Sequence, residues 1–195
     1  YHKEMWTFHN GLNTPHKYQS SPFTWLAQVR ATSFYWNNDE AVMGCSSGKC
    51  ASDIVALGNP LLWWVGIGAL MLVLLATFYY RNWRVGVIAL GYIALYVPWL
   101  AYAHRTIFVF YTVAFAPFVA LAVAWMMGLL AGWATIDGSP AHAPATRRAQ
   151  ITGWLVAGIV TAIILGCAMY FMPLWRGDVV DYDFWRSHMW LQSWI

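Results

Sequence analysis

Charged side chains are scarce in this sequence. Asp, Glu, Lys and Arg make up 10% of its 195 residues, whereas soluble domains average about 25%. Apolar residues reach 60%, a balance that excludes a disordered chain and argues against a water-soluble fold. The 11 basic residues are scattered and form no run that would track a phosphate backbone, so we expect no nucleic-acid partner. The composition predicts a membrane protein.

A recognisable start is missing as well. The chain begins with Tyr1 instead of Met, and its first residues, YHKEMW, are not a signal peptide. Nothing in residues 1–59 is apolar enough to carry a polypeptide into a membrane. We therefore expect the sequence to be the C-terminal portion of a longer chain.

Several classes of chemistry are excluded by what the apolar stretches lack. They contain no His that would ligate a membrane haem, and no Asp, Glu or Lys that would relay protons or ions. Neither a P-loop nor a GxSxG elbow occurs anywhere in the sequence. We expect no cofactor and no metal site in this chain.

Long apolar runs are what the sequence does contain. Each is long enough to cross about 30 Å of hydrocarbon as a helix, and Trp and Tyr cluster near their ends, where amphipathic rings favour the interface. The four predicted spans are 60–80, 85–103, 107–133 and 151–175. The predicted fold is an all-α membrane protein with four transmembrane helices and additional surface helices.

The two sides of the membrane follow from this count. Four spans return the chain to its starting side, so residues 1–59 and the tail 176–195 share one compartment. The basic residues of the other side, Arg81, Arg84, Arg147 and Arg148, are concentrated in two short connections. The positive-inside rule then predicts that 1–59 and 176–195 are extracytoplasmic. We expect the aromatic-rich tail to be amphipathic and to pack against residues 1–59.

A pair of cysteines bears on the same question. Cys45 and Cys50 bracket a short flexible loop, GCSSGKC, with a spacing that permits a disulfide, and such a bond persists outside the cytosol. The alternative is a free or metal-binding pair, although further ligands at zinc spacing are not nearby in the sequence.

The segment from His16 to Trp25 mixes ring faces with hydrogen-bonding groups. Aromatic rings stack on the apolar faces of sugars, while His, Gln and Ser bond to hydroxyls or peptide groups. We interpret His16, Tyr18, Ser20 and Trp25 as candidates to line an extracytoplasmic cavity for a sugar or a peptide. An ordinary loop packed on helix ends remains the alternative.

Arg105 is the strongest single candidate. It lies in a tight connection between two predicted spans, where a guanidinium either snorkels, pairs with an acid or holds an anion such as a lipid phosphate. His104, its neighbour, is a candidate to assist by hydrogen bonding, or it is simply solvated. The acids of the tail, Asp178, Asp181 and Asp183, are interpreted as solvated groups.

Several motifs, taken in order, resemble the C-terminal region of protein O-mannosyltransferases. They are HKYQSSPFTWL, SFYWNN, GNPLLWW at the start of a span, HRTIFVFYTVAFAPF, and the ending DYDFWRSHMWLQSW, which is similar to actinobacterial members. The cysteine pair also fits bacterial members. The resemblance covers essentially the whole chain.

This resemblance implies a GT-C fold and a reaction at the extracytoplasmic face. Members move mannose from a polyprenyl-phosphate to Ser or Thr hydroxyls of secreted proteins, with inversion at the anomeric carbon. It further implies that Arg105, with His104, lies near the donor phosphate.

The same resemblance implies what this chain lacks. The family's catalytic acids lie in the N-terminal half, which is not in this sequence. We therefore expect no catalytic residue here and no activity from the chain alone. The implied partners are the donor lipid, the protein acceptor, membrane lipid and the N-terminal half of the same polypeptide.

Two other functions remain open from the sequence. One is a related GT-C transferase that modifies a glycolipid instead of a protein. The other is a noncatalytic four-helix membrane scaffold, an option that arises because the sequence carries no complete catalytic set.

Overall fold

The computed structural model describes residues 1–39, 49–140 and 146–195. In chain order the elements are α1 (His2–Asn10), a 3₁₀ turn (Pro22–Thr24), β1 (Thr32–Asn37), β2 (Cys50–Ala56), α2 (Pro60–Phe78), α3 (Trp83–Ala101), a 3₁₀ segment (Val109–Ala114), α4 (Ala116–Leu130), α5 (Arg147–Arg176), β3 (Val180–Asp181), α6 (Tyr182–Ser187) and a final 3₁₀ turn (Gln192–Trp194). The chain is mostly helical and carries a small sheet.

The chain forms two compact units, which we name by their contents. The sheet unit comprises Tyr1–Gly58, Trp99–Tyr111 and Ala168–Ile195. The helical unit comprises Asn59–Pro98 and Thr112–Cys167. Segments distant in sequence therefore meet within each unit.

Among the described residues, three helices are long and apolar enough to cross a membrane, namely α2, α3 and α5. They correspond to the first, second and fourth spans expected from the sequence. Their apolar residues recur on all sides, so no polar stripe marks a solvent-facing side, as expected for helices surrounded by lipid and by other helices.

The third expected span, 107–133, is not one continuous α-helix. Residues Val109–Ala114 form a 3₁₀ segment, and α4 follows with 15 residues, a length of about 22 Å at the usual rise. Pro117 lies in the first turn of α4. Because proline lacks an N–H and disfavours helical geometry in the residue before it, an α-helix starts at this position more readily than it runs through it.

The helical unit is held together by close packing of α2 on α4. A side chain added at Gly66 of α2 would lie 2.4 Å from a methyl carbon of Val119, so the absence of a side chain lets the two backbones approach. Phe115, fully buried, contacts the rings of Trp63 and Tyr92 at centroid distances of 5.9 and 5.6 Å. Small residues and a central aromatic cluster fix this pair of helices.

Asn59 begins α2 and ties it to α5. Its side-chain oxygen accepts a hydrogen bond from the Leu62 backbone N–H, and its amide nitrogen donates to the Ile164 carbonyl oxygen at 2.7 Å. Pro60 follows at the first helical position, where no backbone donor is needed. The GNP sequence thus caps one helix and binds another.

A small sheet accompanies the mostly helical membrane fold that the sequence predicts. Strands β1, β2 and β3 form an antiparallel sheet in that order. A register shift between Ser33 and Tyr35 leaves Phe34 out of the pairing, and its ring contacts Phe110 at 5.3 Å. The strand sequences TSFYWN and CASDIVA are rich in β-branched and aromatic residues, which favour strands.

The tail is a folded part of the sheet unit. Trp185, His188 and Trp194 are buried. The Trp194 indole donates to the Gln28 carbonyl oxygen at 2.7 Å, and the Arg30 guanidinium donates to the Ile195 carbonyl oxygen at 2.9 Å. The tail therefore packs against residues 1–59.

Candidate functional site

The connection that carries Arg105 is fastened to the loop that carries His16. The Thr106 backbone N–H donates to the Leu12 carbonyl oxygen at 3.0 Å, and the Thr106 hydroxyl donates to the Thr14 carbonyl oxygen. Further along, the Ser20 N–H donates to the Ile107 carbonyl oxygen at 2.9 Å. These hydrogen bonds hold two segments side by side. The segments are about ninety residues apart in sequence, which is the separation of Thr14 and Thr106.

Arg105 itself is half-buried, and its guanidinium meets no acid among residues 1–39, 49–140 and 146–195. Its Nε is buried and lacks a hydrogen-bond partner among the described residues, and no ion pair to it exists within them. The guanidinium carbon lies 5.9 Å from the centre of the Tyr102 ring. A buried donor on a permanent cation needs an acceptor, and an anion fits this requirement best.

Two exposed histidines flank these segments. His104 lies directly before Arg105, with its ring 6.4 Å from that of Tyr102. His16 accepts a hydrogen bond at Nδ1 from the Tyr18 backbone N–H, and its ring contacts Phe108 edge-on at 5.2 Å. Both imidazoles are open to solvent and can bond to an entering ligand.

Tyr18 is half-buried under two cations. Lys17 Nζ and the Arg30 guanidinium carbon lie 4.8 and 5.4 Å from the centre of its ring. Arg30 also donates to the carbonyl oxygens of Lys17 and Ile195. The ring is therefore held in place by Arg30, which connects this loop to the end of the tail.

Ser20 and Trp25 are buried inside the loop. The Trp25 indole donates to the Ser20 hydroxyl at 2.8 Å, and the Trp25 side chain is 0% exposed. Its ring packs on Trp99 and Tyr111, which stack on each other at 4.5 Å. Neither side chain is available for direct contact with a ligand, in contrast to the lining role expected from the sequence.

Asp53 is a buried acid that sequence reasoning missed. One carboxylate oxygen accepts from the Ser33 hydroxyl at 2.7 Å and the other from the Trp185 indole at 2.9 Å. Burial raises the pKa of the Asp53 carboxyl, while the hydrogen bonds from Trp185 and Ser33 oppose the rise. This carboxyl connects β1, β2 and the tail. The signal in the sequence is an acid within the strand-like run CASDIVA.

His188 forms a second buried junction that the sequence did not reveal. Its Nδ1 and Nε2 lie 2.6 and 2.7 Å from the carbonyl oxygens of Phe184 and Tyr170. Its ring stacks on the Tyr170 ring at 3.8 Å. A neutral imidazole donates from one nitrogen, and the protonated form donates from both. The contacts between His188 and Tyr170 hold the tail against the end of α5.

The cysteines were predicted to form a disulfide, and the chain was predicted to have no metal site. Cys50 is buried at the start of β2, and Cys45 lies outside the described residues, so their pairing stays a prediction. Cys167 is a buried residue of α5 with a free thiol. Within the described ranges no group of three or more His, Cys, Asp or Glu residues could hold a metal ion.

We expect the substitution Asp53→Asn to change stability in a pH-dependent way. A raised pKa means that folding disfavours the carboxylate, so the stability contributed by Asp53 is full below the ordinary pKa of an Asp and is lost as pH rises through the raised value. The difference in free energy of unfolding between wild type and Asp53→Asn should therefore be largest at acidic pH and shrink toward neutral pH. Thermal unfolding in detergent at a series of pH values measures it.

Asp137 provides a matched contrast for this experiment. Hydrogen bonds from the Ser139 side chain and backbone lower the pKa of its exposed carboxyl. Its stabilisation is present at neutral pH and lost as pH falls, so Asp137→Asn should give a small trend of opposite sign. Parallel trends for the two variants would contradict the assignment of Asp53.

Comparison with known proteins assigns the chain to a family. Residues 1–194 match the family described as the C-terminal four TMM region of protein-O-mannosyltransferase. Proteins named polyprenol-phosphate-mannose–protein mannosyltransferase are similar along the whole chain. The one from Mycolicibacterium smegmatis is 28% identical over 198 residues, and the one from Corynebacterium glutamicum is 29% identical over 201 residues. The chain spans 36% of the length of each of these relatives.

A solved structure shares the fold. The structure of the Saccharomyces cerevisiae protein O-mannosyltransferase Pmt1–Pmt2 complex bound to the sugar donor matches with a TM-score of 0.75 and 21% sequence identity. The match covers 100% of this chain and 26% of that chain. At this identity the likeness concerns the arrangement of the backbone.

Proposed function

The chain belongs to the protein O-mannosyltransferase family, as the C-terminal four-transmembrane region of such proteins, and from this membership we propose that it is the C-terminal part of an inverting GT-C glycosyltransferase. The whole enzyme moves mannose from polyprenyl-phosphate-mannose to Ser or Thr hydroxyls of secreted proteins. The observation that carries the proposal is the family match along residues 1–194.

The reaction divides its requirements between two parts of the polypeptide. Transfer to a hydroxyl needs a base beside the acceptor, a pocket for the sugar and positive charge where the lipid phosphate departs. Phosphate is a good leaving group, so a general acid is not required. In this proposal the N-terminal half of the same polypeptide supplies the catalytic acids, and the present chain supplies positive charge and part of the donor pocket.

Arg105 is the proposed phosphate ligand. Its guanidinium is permanently charged, half-buried and not paired with an acid among the described residues, and its Nε is a buried donor without an acceptor in them. A phosphate oxygen would satisfy that donor, and the fork of a guanidinium matches two phosphate oxygens at once. His104, exposed beside it, is proposed to donate a further hydrogen bond.

The loop that is hydrogen-bonded to the Arg105 connection is proposed to line the extracytoplasmic cavity through His16 and Tyr18. These two side chains keep exposed or half-exposed surface, whereas Ser20 and Trp25 are buried and bonded to each other. We therefore assign Ser20 and Trp25 a positioning role: their hydrogen bond and the packing of Trp25 hold the loop in the shape that presents His16.

The chain is an integral membrane protein, since it combines this family with three long apolar helices. We propose that it resides in a bacterial plasma membrane with residues 1–59 and 176–195 on the extracytoplasmic side. The basic residues in the short connections on the other side support this orientation. The orientation puts Arg105 and His16 where secreted acceptors emerge.

The proposed orientation is compatible with a disulfide between Cys45 and Cys50, because such a bond persists outside the cytosol. We expect a membrane-impermeant thiol reagent to label neither cysteine in intact cells before reduction, and to label Cys45 after reduction with an impermeant reductant, whereas Cys50 is buried and reacts only once the recovered protein is denatured. Cys167, inside α5, is the internal control and should stay unlabelled in both cases. Labelling of Cys45 without reduction would contradict the disulfide, and labelling of Cys45 only after the cells are opened would contradict the orientation.

The proposed reaction is tested directly with the complete protein in membranes. Labelled polyprenyl-phosphate-mannose is supplied with a Ser/Thr-containing peptide, and a matched peptide with Ala at each hydroxyl position is the control. We expect mannose on the first peptide and none on the second. Mannose that appears in a glycolipid instead would support a related transferase with a lipid acceptor, and no transfer from this donor would overturn the proposal.

A further inference from the structure

The helical unit contains a cavity that the proposed reaction does not use. It has a volume of about 460 Å³ and lies where the α2–α3 connection meets the residues after α4. Its lining includes the polar residues Asn82, Arg84, Thr135 and Ser139 and the apolar residues Val85 and Ile88. The volume is typical of sites for small molecules or lipid headgroups.

The polar wall of the cavity is built in advance of any ligand. Asn82 is buried, and its amide nitrogen donates to the Ile136 carbonyl oxygen at 3.3 Å. Gly138 has φ +74°, and a side chain there would lie 2.7 Å from the Asn82 oxygen. The close approach of Gly138 to Asn82 holds the residues after α4 against the α2–α3 connection, and so fixes the mouth of the cavity.

Arg84 lines the cavity and has no acidic partner in the part of the chain that the structure describes. Arg84 donates from Nη1 to the Gly138 carbonyl oxygen at 3.0 Å, which leaves most of its five N–H donors for a ligand. Within the described ranges it forms no ion pair. Its guanidinium lies 5.2 Å from the centre of the Trp83 ring, which restricts the orientation of the side chain.

The residues around Gly138 offer acceptors to the cavity. The Ser139 hydroxyl donates to the Asp137 carboxylate at 2.8 Å, and the Thr135 hydroxyl donates to the Ser139 carbonyl oxygen at 2.6 Å. Because their protons are already used, both hydroxyl oxygens remain as acceptors, beside the ionised Asp137. These acceptors therefore suit a ligand that carries hydroxyl groups as well as an anion.

The surroundings indicate the level of the lipid headgroups. Trp83, Trp133 and Tyr79 are exposed at the ends of the apolar helices, as rings are at a membrane interface. Val85, Ile88 and Trp125 form the apolar side of the same cavity. A ligand with a polar head and apolar chains would match both sides.

We propose that this cavity binds the headgroup of an anionic phospholipid that carries hydroxyls, of which phosphatidylglycerol is the simplest. Arg84 holds the phosphate, the oxygens of Thr135 and Ser139 accept hydrogen bonds from the headgroup hydroxyls, and Val85 and Ile88 contact the first acyl carbons. The residues that line this cavity do not include Arg105, so the site is separate from the proposed donor site.

Lipid binding by the complete protein in detergent tests the proposal. Native mass spectrometry measures binding of phosphatidylglycerol, phosphatidylcholine and polyprenyl phosphate to wild type, Arg84→Gln, Arg84→Lys and the control Arg148→Gln, which removes an exposed charge from α5 outside the cavity. We expect phosphatidylglycerol to bind preferentially, Arg84→Gln to weaken it about tenfold, Arg84→Lys to weaken it less, and Arg148→Gln to leave it unchanged.

Other outcomes overturn the proposal. Equal binding of phosphatidylcholine, or equal losses for Arg84→Gln and Arg148→Gln, would mean nonspecific attraction to charge. Displacement of phosphatidylglycerol by inorganic phosphate would mean a free-anion site, and displacement by polyprenyl phosphate would mean a donor-lipid site. Thermal unfolding without added lipid shows whether each variant is folded, which is expected because Arg84 is exposed.

Discussion

Replacement of Arg105 by Ala in the complete enzyme is expected to lower mannosyl transfer from polyprenyl-phosphate-mannose by about 10²- to 10³-fold, the loss that follows removal of a group that stabilises developing negative charge. The departing phosphate gains charge as the bond to mannose breaks, so the loss should appear mainly in kcat. The measurement is the transfer rate over a range of donor concentrations at saturating peptide.

Two further variants separate this role from general charge or folding. Arg105→Lys keeps the charge and loses the fork, so we expect partial activity between those of wild type and Arg105→Ala. Arg176→Ala removes an exposed arginine whose ion pair with Asp178 is also exposed, and activity should stay within about twofold because such pairs contribute little. If Arg105→Ala transfers mannose at the wild-type rate, and thermal unfolding shows that the variant is folded, then Arg105 does not stabilise the departing phosphate.

The substitution His188→Leu is expected to destabilise the sheet unit by about 2–4 kcal/mol. It removes the imidazole whose two nitrogens lie within hydrogen-bond distance of the carbonyl oxygens of Phe184 and Tyr170, and with it the ring stacked on Tyr170. Lost hydrogen bonds to carbonyls in a packed site and a poorly fitting replacement each contribute at this scale. The readout is the free energy of unfolding in detergent, followed by tryptophan fluorescence, because Trp185, Trp190 and Trp194 lie nearby.

A partial replacement and an exposed histidine are the comparisons for this variant. His188→Gln keeps one amide donor and should retain part of the stability. His9→Leu changes an exposed histidine of α1 and should shift the free energy of unfolding by no more than about 0.5 kcal/mol. Equal stability of His188→Leu and wild type would show that the junction between α5 and the tail is not important for the fold.

The membrane helices were predictable because their signal is local. A run such as PLLWWVGIGALMLVLLATF is apolar throughout and long enough to span, and this holds for α2, α3 and α5. The division of the third run into a 3₁₀ segment and α4 was also readable from Pro117, but hydropathy alone ignores backbone geometry.

The sheet and the buried junctions were not predictable in the same way. β2 pairs with β1, its neighbour in sequence, and with β3, which follows the last long helix. The aromatic composition of residues 1–59 is equally compatible with a surface helix and with a loop. Asp53 is buried against Trp185 of the tail, and His188 is buried against Tyr170 of α5. An isolated acid or histidine in a sequence does not reveal such partners.

The candidate site could be predicted from the sequence only in part. The position of Arg105 in a tight connection predicted that it binds an anion. The hydrogen bonds through Thr106 that join this connection to the His16 loop depend on tertiary structure and could not be predicted. The same tertiary structure buries Ser20 and Trp25, which composition alone presented as ligand-facing residues.

The measurement that tests the central claim most directly is mass spectrometry of secreted proteins from cells with and without the complete protein. The account predicts single hexoses on Ser and Thr residues of secreted peptides in the parent strain and their loss on deletion. Wild type should restore them and Arg105→Ala should not. Unchanged hexose occupancy after deletion, in a strain without a second such enzyme, would contradict the claim that this chain is part of a protein O-mannosyltransferase acting on secreted proteins.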